Sequence, residues 1–566
     1  MSKIGAFTFV LHSHLPYARQ AGMWPHGEEW VHEAIAETYV PLLDALNDLK
    51  EEGVPFKLTI GITPILAEQL ADPLIIENFI HYAAERAAWA ASDVKRFEQS
   101  GEVELKDLAR FYHHWYARRL SSFRDRHGAD LLGAFAKLQD AGLIEIATSA
   151  ATHGYLPLMA RDSTIYGQIK TGVDAYERRF HAKPSAIWLP ECAYRPAYLD
   201  ESSAPPVRRP GLESFLAEQN LRVFFSETHT VEGGVPVGKA AGEAIGPYSA
   251  VPRRYAVKAT PEAQREPGTT FKPYWVGDEP GQVAVLGRNN RTGKQVWSGD
   301  IGYPGDFWYR EFHRKDGVSG LQYWRIGGKE IDLGHKPPYD PGQAALRIQE
   351  HANNFVGLVE TALKEYHDET GEFGVISSAY DTELFGHWWF EGVVWLREVL
   401  KQLATSQTVE LTTASKIIQD HPPTDVMTLP ESSWGAGGGH FTWMNVDTQW
   451  MWPIVHEAER TMERLVAEHP DADGEMLLLL NQAARELLLL ESSDWPFLVT
   501  TGQAKEYASQ RFTEHVERFG ELVVLIDDGQ PLSDERRDFL LAMASRDNPF
   551  PGIDYRVFAE RQGSMT

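Results

Sequence analysis

Seven times along this chain a short apolar run ends in polar residues: AFTFVLHSHL, FKLTIGITPIL, LIEIATSAA, AIWLPECAY, VFFSETHT, VAVLGRN and FGVISSAYDTELFG. Runs of this length, rich in Val, Ile and Phe, read as strands buried on both faces. Helical patterns lie between several of them. Strand, polar end, helix, repeated, is the pattern of a parallel α/β barrel. In such a barrel the side chains that carry chemistry stand at the C-terminal ends of the strands, and that is where these polar residues fall.

A chain of 566 residues exceeds what one ordinary core accommodates, so attachments to the barrel are expected. Residues 73–140 carry almost unbroken helical spacing (IHYAAERAAWAASDVKRFEQ, then ELKDLARFYHHWYARRLSSFRDR) and read as a helical insert. The barrel then occupies residues 1–72 and 141–400. Long loops are expected over about 200–272, where composition turns to Pro, Arg, Gly and small residues. From about Lys401 the strands are expected to cease. DGEMLLLLNQAARELLLLESSDW and AKEYASQRFTEHVERFGELVVLI have helical spacing, which gives a C-terminal helical domain over 401–566 that contributes to a ligand groove. The predicted fold class is α/β: an incomplete barrel with a helical insert and an all-helical C-terminal domain.

The net charge of −26 repels phosphates, which argues against nucleic-acid and acidic-membrane partners. The single cysteine excludes an intramolecular disulfide framework and agrees with a reducing compartment. The first apolar stretch, Ile4 to Leu11, reads as a strand and not a leader, and later apolar runs are too short to span a bilayer. A cytoplasmic location is expected. Seventeen tryptophans are present, many beside Gly, Ser, Asp and His rather than in apolar runs (GMWPHGEEW, QVWSGD, SSWGAGGG, FTWMNVDTQWMW). Flat rings in polar loops suit sugars, whose C–H faces stack while their hydroxyls bond the rim.

Three groups could carry chemistry. HSHLPY places His12 and His14 at the end of the first strand, and ATHGY adds His153. Together they could bind zinc, but no Cys cluster or HExxH motif accompanies them, so no metal is expected. WLPE places Glu191 after a strand, and AYDTELFG places Asp381 and Glu383 at the end of a late one. Singly, each acid reads as a cap or a turn residue. As strand-terminal acids in a barrel rich in loop tryptophans, they fit the pair that glycoside chemistry uses, one attacking the anomeric carbon and the other working as acid and base. Asp381 and Glu383 compete for the acid role. Cys192, next to Glu191, points away if Glu191 points inward, and reads as structural.

HSHLPY, GITP, WLPECAY, AYDTELFGHWW and TTASKII match in order the five sequence regions of glycoside hydrolase family 57, so the chain resembles that family over essentially its whole length. Within it, ATHGYLPL, VWSGDIGYPGDFWYREFHR, FGHWWFEG, SSWGAGGGHFTW and SSDWPFL look like the members that branch 1,4-α-glucan. The resemblance implies an incomplete (β/α)7 barrel, a retaining mechanism, no metal and no organic cofactor, with α-1,4-glucan (amylose, glycogen) as donor and acceptor. It puts Glu191 on the nucleophile and Asp381 on the general acid/base. His12, His14 and His153 fall on the subsite of the attacked sugar, Trp24 on an entrance tryptophan, and Trp297, Trp434 and Trp443 on glucan-holding tryptophans. Asp494, in SSDWPFL, falls among the substrate-binding residues. Tyr248 and Tyr255 compete for the tip of a gating loop. The competing expectations are a family 57 α-amylase or 4-α-glucanotransferase, a non-catalytic glucan-binding protein, and a metal-dependent deacetylase on a similar barrel.

Overall fold

The computed structural model describes residues 3–201, 206–234, 267–277, 281–298 and 301–561. The seven apolar runs form strands β1 (Gly5–Ser13), β2 (Leu58–Ile62), β3 (Ile144–Ser149), β4 (Ala186–Trp188), β5 (Val223–Ser226), β6 (Val283–Gly287) and β7 (Gly374–Asp381). They pair in parallel in the order β7-β1-β2-β3-β4-β5-β6. The sheet curls until β6 and β7 approach each other. There they meet through an isolated parallel bridge, Arg288 to Ser377, where the Asn289 N–H donates to the Ser377 carbonyl at 2.9 Å. The barrel is therefore incomplete at one seam.

Alternation of side chains explains how these strands are covered on both faces. All nine residues of β1 are buried. Phe7, Phe9 and Leu11 pack outward in a cluster that includes Phe355, Val359, Trp395 and Val399, from the helices Pro341–Thr370 and Gly392–Leu403. Val10 points the other way, into an interior cluster with Ala147, Ala186, Trp188, Phe225, Ala284, Leu286 and Ala379. Four of those interior residues are alanines, which leaves room inside for the large ring of Trp188. The same interior cluster runs on into the helices Met451–Glu468, Gly474–Leu490, Asp494–Thr501 and Lys505–Asp528. One apolar core thus joins the barrel interior to the C-terminal helices.

Residues 73–140 hold the helices Pro73–Ser100, Val103–Ser121 and Leu131–Asp140. Asp72 starts the first by accepting from the N–H groups of Leu74 and Ile75. The irregular segment 301–340 lies against these helices. Tyr323 donates to Asp93 at 2.7 Å, Tyr112 donates to the Gln322 carbonyl at 2.6 Å, and Arg96 pairs with Asp316 at 2.7 Å. Among the described residues no helix is long and apolar enough to cross a membrane.

Two expectations are corrected. Strands do not cease at Lys401: Val409–Leu411 pairs in parallel with β1, and Val426–Met427 with the strand Tyr274–Val276, itself antiparallel to β6. These added strands are two or three residues long, too short to carry an alternating pattern. The described part of the span 200–272 also holds more than loops. Besides β5 it holds the antiparallel pair Tyr198–Asp200 and Val207–Arg209 and the helices Leu212–Glu218 and Thr228–Glu232. Leu212, Phe215 and Leu216 supply the buried face of the first helix, a signal hidden by the flanking Pro and Arg.

Candidate active site

The C-terminal ends of β1, β4 and β7 open on one cavity. His12, His14, His153, Glu191, Asp381, Glu383, Trp388, Trp434, Trp443 and Asp494 line it, and Phe497, Leu498 and Thr501 close one side. His12 and Asp381 are register partners on β1 and β7. One residue further on, Ser13 and Thr382 join their hydroxyls at 2.7 Å. Glu383 turns back beneath: its Oε1 accepts from the His14 backbone N–H at 3.2 Å and from the Tyr39 hydroxyl. Burial raises the pKa of Glu383, against the pull of those donors.

Glu191 follows β4 in a tight turn, at φ 62° and ψ 24°, and Cys192 follows at φ 50°. Two consecutive non-glycine residues in the left-handed region are costly, on the order of 1–3 kcal/mol each, so the surroundings must hold them. They do. Tyr194 and Ser432 exchange backbone hydrogen bonds of 2.9 and 3.0 Å, and the Trp434 N–H donates to the Glu191 carbonyl at 3.0 Å. The Trp434 indole N–H donates to Glu191 Oε2 at 2.6 Å, and the Ser493 hydroxyl to Oε1 at 3.3 Å. Cys192 is buried in the interior cluster and is not among the residues lining the cavity.

The opposite wall comes from the loop after β3 and the start of the helix Asp494–Thr501. His153, at φ 58°, and Ser493 meet through the Ser493 N–H to the His153 carbonyl at 3.1 Å and through His153 Nδ1 to Ser493 Oγ at 2.9 Å. Behind them Gln168 ties both segments. It donates to Thr152 Oγ1 and to Glu491 Oε2, each at 2.9 Å, and accepts from the Thr152 N–H at 3.1 Å. Because Ser493 gives its proton to Glu191, it accepts from His153 Nδ1, which leaves His153 Nε2 to accept from His12 Nε2 at 3.1 Å. His153 is thus neutral. Burial, then the neighbouring histidines, lower its pKa well below the usual value. His14 is the reverse case. Burial opposes its charge, but the Asp494 carboxylate at 3.0 Å outweighs it, with help from Glu191 and Glu383, and its pKa is raised. The two imidazoles stack at 3.8 Å.

Two clusters among the described residues offer three ligand atoms each to a metal: His14, His153 and Asp494, and Glu486, His515 and Asp547. In the first, the His14 and His153 rings lie within 18° of parallel. A lone pair lies in its own ring plane, so an ion in one plane stands well out of the other, and tetrahedral zinc cannot use both. In the second, Arg511 lies 3.1 Å from the His515 ring nitrogen and Arg518 2.8 Å from Asp547. Those guanidiniums repel a cation.

The cavity therefore gathers His12, His14, His153, Glu191, Asp381, Trp434, Trp443 and Asp494. Both tryptophans are nearly covered, however. Trp434 packs edge-on against Trp188 at 5.1 Å, and Trp443 stacks on Tyr155 at 4.3 Å. Trp297 stands apart from them: it packs in the outer cluster, 6.5 Å from the Tyr380 ring, and is not among the residues lining this cavity. Its place at the end of the helix Asn290–Trp297 turns it into the core, although its sequence neighbours are polar. Trp24 is also outside the cavity lining, on the loop after β1, and is 76% exposed. Tyr248 and Tyr255 lie outside the described residues. Ser493 was foreshadowed by the SSDWPFL run. Thr63, whose hydroxyl lies 3.0 Å from His14 Nδ1, stands in the GITP run at the end of β2, whereas Tyr39 and Gln168 had no local signal, because distant contacts alone bring them here.

The chain is similar to known proteins over nearly its whole length. A profile of glycosyl hydrolase family 57 matches residues 8–430, and one described as 1,4-alpha-glucan branching enzyme, C-terminal, matches residues 454–558. A 1,4-alpha-glucan branching enzyme of Thermococcus kodakarensis is 44% identical over 550 residues, covering 96% of this chain and 77% of that protein. The crystal structure of the family 57 branching enzyme of Thermococcus kodakaraensis has a TM-score of 0.88 at 42% identity, covering 99% of this chain and 97% of that one. The crystal structure of an α-amylase of Thermotoga maritima has a TM-score of 0.80 at 30% identity, covering 99% and 100%.

Proposed function

The chain belongs to glycoside hydrolase family 57, and from that premise we infer that it is a 1,4-α-glucan branching enzyme working by retaining double displacement. Its substrate is an α-glucan. The Glu191 carboxylate attacks C1 of an internal α-1,4 linkage. The C1–O4 bond breaks with its electron pair on O4, and Asp381 gives that oxygen its proton. In the second step the Asp381 carboxylate takes the proton from the O6 hydroxyl of an acceptor chain, O6 bonds C1, and the C1–Glu191 bond breaks, which restores the Glu191 carboxylate and the protonated Asp381. The product is an α-1,6 branch. Amylose or glycogen serves as both donor and acceptor. Two carboxylates suffice for this chemistry without metal or organic cofactor.

The observation that carries the reading is the convergence of Glu191 and Asp381, from β4 and β7, on one cavity walled by aromatic and histidine rings. Asp381 is favoured over Glu383 as the acid because Glu383 Oε1 is already engaged by His14 and Tyr39. His12, His14, His153 and Asp494 surround the attacked sugar in this scheme, and exposed Trp24 is available to a longer chain. Trp297 keeps the glucan-holding role that the family resemblance gives it, outside this cavity. A cytoplasmic location goes with it, in keeping with a single, buried cysteine. Incubation with amylose, followed by debranching and chain-length analysis, tests the function. New α-1,6 linkages are expected. Rising reducing ends without branches would favour hydrolysis, the activity named for the Thermotoga maritima relative.

A further inference from the structure

Trp434 carries more of the site than a stacking surface needs to. It touches Glu191 twice, through its backbone N–H at 3.0 Å and its indole N–H at 2.6 Å. The residue is 4% exposed, and its ring presses edge-on against Trp188, which in turn stacks on His12 at 4.6 Å. The turn that follows locks it in place. The Ser433 N–H donates to the Gly438 carbonyl at 2.9 Å, and its hydroxyl donates to the Gly439 carbonyl at 2.6 Å. A Cβ on Gly435 would meet the Trp443 ring at 2.5 Å, so only glycine lets the chain pass there. The glycine-rich turn thus fixes one indole N–H against one carboxylate oxygen, beside a backbone held in the left-handed region.

We propose that Trp434 is a positioning residue for Glu191, its indole N–H holding the carboxylate in one orientation through both displacements. The inference rests on the reading of Glu191 as nucleophile. The Glu191 turn is strained, and the Ser493 contact is longer, at 3.3 Å. Carboxylate charge disappears as the C1–O bond forms and returns as it breaks. A donor already in place spares the second step the cost of reorganising solvent around that charge. A sugar-stacking role alone would require an open ring face, not a spent N–H.

Trp434→Phe keeps an aromatic ring and deletes the donor. Substituting β-(3-benzothienyl)alanine at 434 keeps the bicyclic shape and volume and deletes only the N–H, so it decides the matter if the Phe variant does not fold. Loss of a hydrogen bond to a charged group is expected to lower kcat for branching about 10- to 100-fold, with KM for amylose nearly unchanged. The acid limb of kcat/KM should move to higher pH, because a carboxylate that loses a donor takes a proton more readily. His153, 3.9 Å from Glu191, and His14, Tyr155, Asp381 and Glu383 are the same in all variants. A raised KM with kcat and the acid limb unmoved would overturn the proposal and make Trp434 a sugar platform. Glu191→Gln separates the two layers. If it stays active, the nucleophile reading fails. If it is inactive while the benzothienyl variant keeps normal kcat, only the positioning role fails.

Discussion

On the barrel side of the cavity, His12 and Asp381 are set by sheet register, each a backbone partner of the other. On the C-terminal side, Trp434, Ser493 and Asp494 are set by side-chain hydrogen bonds reaching back to Glu191, His153 and His14. Register changes only in whole residues, and a slip of one turns every side chain to the other face. Side-chain ties are lost one at a time, each at about 1–3 kcal/mol when buried. The barrel rim is therefore rigid and indivisible, while the opposite wall can be loosened gradually. Changes to the two walls should then differ in kind. Chemical groups are lost from the rim, and alignment is lost from the wall.

The sharpest break comes at the rim. Glu191→Gln should lower turnover by about 10⁴-fold or more, as removal of a covalent nucleophile does, and Asp381→Asn by roughly 10²- to 10⁴-fold, both with unchanged thermal unfolding. Near-normal activity in Asp381→Asn would pass the acid role to Glu383. On the wall, Gln168→Leu cuts the tie between Thr152 and Glu491. It should lower kcat about tenfold and stability by about 1–3 kcal/mol. A loss of stability with no change in kcat would mean that the tie is not felt at the site. Asp494→Asn should act mainly through His14. Since the folded pKa of His14 is raised, its stabilising pair is complete below the unfolded value of about 6.5 and fades as pH rises through the folded value. The melting-temperature gap between wild type and Asp494→Asn should be wide near about pH 6 and narrow near about pH 9. A pH-independent gap would show His14 uncharged. Smallest of all, Cys192→Ala should cost about 1 kcal/mol and leave kcat intact. Inactivation of the native enzyme by a thiol reagent would contradict its burial.

The rim was far more legible in the sequence than the wall, for the same reason. All seven barrel strands stand out because a strand buried on both faces is a dense apolar run, and polar residues at its end are conspicuous. His12, Glu191 and Asp381 could be found that way. The wall is built from contacts between residues hundreds of positions apart, such as Gln168 with Glu491, and no local pattern announces them. Tryptophan in a polar neighbourhood was the weakest guide. It led to Trp434 and Trp443, which reach the cavity although they are nearly covered, and equally to Trp297, which is not in its lining.

β1 has three partners: β2, close by in the chain, and β7 and Val409–Leu411, each more than 360 residues later. During synthesis β1 must therefore wait with two sets of contacts unfilled until those later strands are made, and the cavity waits longer still, for Asp494. At ordinary elongation rates that interval is roughly 25 to 100 seconds. During it the nascent chain cannot act on glucan, and its exposed apolar strands are open to mispairing. A growing polypeptide of this design is expected to gain activity as a late, single event rather than in stages.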